Sequence, residues 1–112
     1  MVSQTRLVDL LIELVKVDSE TKHEQEISAL LKRKFTELGV HVEEDDSAAR
    51  SGHGSGNLIV TMEATDGYEQ APAVLFTAHM DTVVPGKGIK PRVDDDGYIR
   101  SEIGRASCRE RV

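Results

Sequence analysis

The 112-residue sequence contains one cysteine, no tryptophan, two tyrosines, two phenylalanines and three prolines. A single cysteine cannot close an internal disulfide, which excludes a cystine-stapled secreted fold and favours a reducing, cytoplasmic setting. With so few aromatics, any core has to be built from Leu, Val and Ile. Lys and Arg number 14 against 20 Asp and Glu, and the net charge of −6 argues against a general nucleic-acid binder. No apolar run approaches the length of a membrane span, so no membrane partner is expected. The first seventeen residues carry Asp9 and Glu13 inside their apolar pattern, which excludes a signal-peptide core. The length allows one domain at most.

Within these bounds the chain reads as α/β. Leu7, Leu10, Leu11, Leu14 and Val15 recur at three- and four-residue steps and predict an amphipathic helix over 3–16. "VDSET" (Val17 to Thr21) interrupts that pattern. Thr21 and Glu24 fit a capping box, with Thr21 as N-cap of a second helix over 21–38. Ile27, Leu30, Leu31, Phe35 and Leu38 form its apolar face, and Gly39 stands where a helix end wants positive φ. Strands are expected near 40–44, 57–63, 72–78 and 97–101. The third, "AVLFTA", is apolar on both faces, as suits a central strand covered on both sides. "VVPGKGIKP" has the composition of a turn. The expected architecture is two N-terminal helices packed on an incomplete β-sheet.

Residues 102–112, "EIGRASCRERV", follow neither helical nor strand periodicity and hold the sole cysteine, Cys108. They coincide with the translation of a common sequencing adapter. They are therefore set apart as a non-native tail, leaving 1–101 as the interpretable part.

Four histidines are present. His23, His41 and His53 read as structural or solvated. Gly52, Gly54 and Gly56 hint at a phosphate loop, but a strand follows where a helix should open, so a turn is the better reading. The acidic runs Glu43 to Asp46 and Asp94 to Asp96 lack calcium-loop spacing and read as loop edges. His79 differs. It ends the apolar run Ala73 to Phe76 with only two residues between, and Asp81 follows two positions later. About 0.3 such H-x-D pairs are expected by chance in this composition, so the pair by itself proves little. Its place adds weight, because ligand sites in open α/β sheets lie beyond strand ends. A neutral imidazole is a good zinc ligand and a nearby carboxylate fixes its tautomer. On the residues alone, a metal site and an ordinary histidine both remain open.

"VDSET", "ELGV", "GNLIV", "VLFTAHMDTVVPGKGIKP" and "DGYIRS", in this order, resemble the opening of peptidase T-like (tripeptidase-like) zinc metallopeptidases. That family also holds aminoacylases, glutamate-releasing carboxypeptidases and succinyl-diaminopimelate desuccinylase. The resemblance covers residues 1–101, which it identifies as the N-terminal part of a catalytic metallopeptidase domain. It implies that His79 is a ligand in a two-zinc centre, with cobalt or manganese as alternative metals, and that Asp81 is the catalytic aspartate orienting it. It further implies a short-peptide substrate, cytoplasmic location and a homodimer formed through an inserted domain. After "YIRS" the family continues with a "GADD" segment whose aspartate bridges the metals, then a glutamate general base and further ligands. The tail offers none of these, so the polypeptide is expected to be an inactive fragment. N-acyl amino-acid deacylase or carboxypeptidase activity is the alternative within the family. A non-catalytic α/β binding module is the alternative outside it.

Overall fold

The computed structural model of the protein describes residues 1–101; the tail at 102–112, with Cys108, lies outside the described residues. The elements run α1 (Gln4–Val15), α2 (Gln25–Glu37), β1 (His41–Glu44), α3 (Ser47–Ser51), β2 (Leu58–Thr61), β3 (Pro91–Val93) and β4 (Ile99–Ser101). The α/β class holds. The sheet, however, is two separate antiparallel pairs. Val42 faces Val60 in the first, and Arg92 faces Arg100 in the second.

Local chemistry explains both helices' ends. Ser3 caps α1, its Oγ accepting from the Arg6 N–H at 3.3 Å. At the end of α2, Gly39 takes φ of 75°, its N–H donates to the Thr36 carbonyl, and that of Val40 donates to Phe35. That pair of bonds is a Schellman closure, and it depends on a residue with no Cβ in the left-handed region. The start of α2 departs from expectation. Lys22 sits at φ of 76° in a turn closed by the His23 N–H on the Glu20 carbonyl, so the helix begins only at Gln25. Thr21 is not its cap.

Helix α2 packs on β1 and β2, and α1 lies near β3. Ile27 and Leu30 are buried on the inner face of α2, and Ile89 is buried in the loop before β3. These three are the buried apolar side chains among the described residues, and α1 buries none. Surface ion pairs tie the layers together: Lys34 to Glu13 of α1, and Lys32 to Glu44 of β1, each at 2.6 Å.

The expected strand over 72–78 is absent. Its backbone makes no hydrogen bond among the described residues, and Val74, Leu75 and Phe76 are 76%, 85% and 91% exposed. A strand is completed by its neighbours' ladder, and no described segment lies beside this one to supply it. Conversely, Pro91–Val93, where no strand is expected from sequence and Pro91 ends the expected turn, is a strand because Ile99–Ser101 returns alongside it. The turn between them closes with the Gly97 N–H on the Asp94 carbonyl and Gly97 at φ of 81°.

With so small a core, its members should be sensitive to truncation. Leu30→Ala is expected to cost about 2–4 kcal/mol. Lys34→Met, which breaks only a surface pair, should cost under about 1 kcal/mol. Paired denaturant titrations of the two variants check the contrast.

Candidate functional site

The loop after α1 and the loop bearing His79 are far apart in sequence and dock against each other. Glu20 and Thr82 form a parallel bridge. The Thr82 N–H donates to the Ser19 carbonyl at 2.8 Å, and the Thr21 N–H donates to the Thr82 carbonyl at 3.2 Å. Two acidic side chains extend the contact. Glu20 accepts from the Gly86 N–H at 2.8 Å and Asp18 from the Gly88 N–H at 2.9 Å. The glycine at 86 is required by space, because a Cβ there would lie 2.6 Å from the Val83 carbonyl oxygen and 2.7 Å from Thr82 Oγ1. Ser19 is buried at the centre of this junction.

At the rim of the junction His79 and Asp81 come together. His79 Nδ1 lies 2.8 Å from the Asp81 carbonyl oxygen and 3.0 Å from its Oδ1. Both partners are acceptors, so in the neutral form of the ring Nδ1 carries the proton and Nε2 keeps a lone pair for a metal or a proton. The adjacency expected from sequence is present, but its cause is different. Residues 79–81 are not in a strand, and the ring instead folds back onto its own loop. The imidazole is 80% exposed, whereas the carboxylate is 31% exposed.

The second oxygen of Asp81 is also engaged. Thr21 Oγ1 donates to Asp81 Oδ2 at 2.6 Å. That hydroxyl bond, reinforced by His79 and opposed by partial burial, holds the Asp81 carboxyl below the usual aspartate range. Thr21 was invisible as a site residue in the sequence, where the capping-box spacing offered it a local role. The only pointer was that "VDSET" accompanies "HMDTVVPGKG" in the resemblance.

Glu24, the other half of the expected capping box, is buried and organises the glycine loop. Its Oε1 accepts from the Lys22 N–H at 2.7 Å and lies 2.8 Å from His53 Nδ1; its Oε2 accepts from the Gly54 N–H at 2.9 Å. Glu44 likewise takes the Gly56 N–H at 2.9 Å. Two amides that a phosphate loop would present are thus occupied by carboxylates, in keeping with the turn reading. Asp45 accepts from Ser47 and Asn57 and shapes the entry to α3. Asp94 and Asp96 are paired with Arg100. His41 pairs with Glu43 at the surface, and His23 is exposed.

This arrangement of helices, short antiparallel pairs and docked loops is similar to one part of two solved peptidases. Of this chain, 90% aligns with aminopeptidase PepT from Bacillus cereus ATCC 10987, with a TM-score of 0.82 and 57% identity. A tripeptidase from Staphylococcus aureus subsp. aureus Mu50 aligns over 91% of the chain, with a TM-score of 0.84 and 45% identity. The uncharacterized protein YqjE of Bacillus subtilis (strain 168) is 53% identical over 102 residues, or 91% of this chain. No protein-family model matches. The chain spans 26% of the length of each of these three relatives. In sequence and fold it is similar to one part of these proteins. No helix among the described residues is long and apolar enough to cross a membrane.

The buried Glu24 predicts an acid-sensitive contact between the start of α2 and the glycine loop. Burial raises its pKa, but the Lys22 N–H, the His53 ring and the Gly54 N–H outweigh that and hold it at about 2, against an ordinary 4.5. A carboxyl depressed by folding contributes fully above pH 4.5 and loses that contribution as pH falls toward 2. Glu24→Gln should therefore be less stable than the parent at neutral pH, with the difference shrinking through that window. Chemical denaturation of both proteins at a series of pH values measures it.

Proposed function

We propose that this chain is the His79-bearing part of a zinc-dependent peptidase that hydrolyses short peptides, as a tripeptidase or an aminopeptidase does. The observation that carries the reading is the His79–Asp81 pair, in which a carboxylate holds the imidazole with Nε2 directed to bind. It occurs in a chain 57% and 45% identical to parts of an aminopeptidase PepT and a tripeptidase.

The residues present fit one ligand position of a metal site. A histidine that donates its other ring N–H to a carboxylate or a backbone carbonyl, as His79 Nδ1 does to Asp81 Oδ1 and the Asp81 carbonyl oxygen, is the usual state of a zinc-binding imidazole. Among the described residues no group of three or more His, Cys, Asp or Glu is arranged to hold a metal ion. The remaining ligands, and the general base, would then come from elsewhere in a protein about four times as long, by the 26% coverage of the relatives. Bound zinc would polarise the peptide carbonyl and lower the pKa of a bound water. In that site His79 donates its Nε2 lone pair. Asp81 fixes the ring's tautomer and orientation and raises its basicity. The exposure of the imidazole leaves the approach open to the metal and to the other walls of the site.

The test is made on the complete protein. His79→Ala and Asp81→Ala should each lower peptidase turnover by at least about 10–100-fold and weaken zinc binding, since one removes a ligand and the other its orienter. Residues 1–112 alone should show no turnover. Wild-type turnover by His79→Ala would reject the metal role, and hydrolysis by the 112-residue chain would reject the claim that the site is completed from outside it.

A further inference from the structure

We infer that Thr21 is a positioning residue for the His79 site: its hydroxyl fixes the rotation of the Asp81 carboxylate, so that Oδ1 remains on His79 Nδ1. The inference rests on the reading of His79 as a zinc ligand and extends it to a residue sixty positions before Asp81.

A carboxylate with one engaged oxygen can turn about its terminal torsion, which has a broad energy profile. Asp81 is partly exposed, so water could take either oxygen. Here the two oxygens have separate partners, Thr21 Oγ1 on Oδ2 at 2.6 Å and His79 Nδ1 on Oδ1 at 3.0 Å, with the Nδ1 proton shared with the Asp81 carbonyl oxygen at 2.8 Å. A threonine hydroxyl has one proton to give. Its other near acceptor, the Thr82 carbonyl, is 3.5 Å away, so the proton goes to Asp81. The hydroxyl is itself held rigidly. The Thr21 N–H is bonded to the Thr82 carbonyl, and the flanking Ser19 carbonyl accepts from Thr82, so residues 19–21 are fastened to the loop that carries Asp81. β-Branching further restricts the Thr21 rotamer. The bond has no alternative explanation as a helix cap, because α2 begins four residues later.

The experiment uses the complete protein, with the zinc dissociation constant measured by chelator competition beside kcat and KM. Thr21→Val keeps the shape and both backbone bonds but removes the hydroxyl. It should weaken zinc binding roughly tenfold and reduce kcat more than KM changes. Thr21→Ser, which restores the hydroxyl, should stay within about twofold of the parent on the same scale. In an Asp81→Ala background, Thr21→Val should have no further effect, because the residue through which it acts is gone. If the valine variant does not fold, Thr21→Ala replaces it and is read in the same way. Parental zinc affinity in Thr21→Val overturns the inference, as does an equal loss in the Asp81→Ala background, which would mark a purely structural role. Loss of zinc in His79→Ala without loss in Thr21→Val removes the Thr21 assignment alone. A wild-type protein that takes up no zinc removes the metal reading and the Thr21 assignment together.

Discussion

The junction between residues 18–21 and 81–88 is the constraint on which the candidate site depends. Two backbone hydrogen bonds fasten Thr82 between Ser19 and Thr21, and two acidic side chains clamp the glycine amides of the following loop. Without that junction Asp81 would lose its threonine partner, and nothing described in the structure would hold the His79 loop in one conformation. The apolar core is too small in extent to do so, since its buried members are Ile27, Leu30 and, at the end of that loop, Ile89. Polar contacts to backbone amides therefore carry a share of the organisation that burial carries in larger domains.

Carboxylates do the same work elsewhere in the molecule. Glu24, Glu44 and Asp45 each accept backbone N–H groups of the glycine-rich segment, and Asp94 and Asp96 order the β3–β4 turn through Arg100. A strongly acidic chain thus spends much of its charge on loop geometry. Charge-assisted bonds of this type are stronger than neutral ones, and each satisfies an amide that would otherwise need water. The same use of carboxylates disposes of the phosphate-loop reading, because the amides of Gly54 and Gly56 already face anions.

Features determined by neighbours a few residues away were legible in the sequence. The stripes of α1 and α2, the Gly39 closure, β1, β2 and the turn into β4 follow from side-chain period, φ preference and short loops. The proximity of His79 and Asp81 was legible too, because two residues separate little whatever the backbone does. The resemblance to peptidase T-like proteins was legible from "HMDTVVPGKGIKP", and the solved aminopeptidase and tripeptidase share this fold over nine-tenths of the chain.

Features that depend on long-range partners were not. Ala73 to Ala78 has every local mark of a strand, yet it forms no ladder, since pairing is a property of two segments and none is beside it. Pro91–Val93 has no strand signature of its own and becomes a strand because Ile99–Ser101 meets it. Thr21 and Glu24 satisfied a local capping rule, but a turn at Lys22 and contacts with Asp81, His53 and Gly54 offered both side chains stronger partners. The sequence by itself determined the α/β class, the two long helices and the His79–Asp81 pair, because each is a short-range property, whereas the short α3 within the segment read as a loop was missed. Only the tertiary structure decided which segments pair and which hydroxyl holds the aspartate, because those bonds join groups up to seventy residues apart.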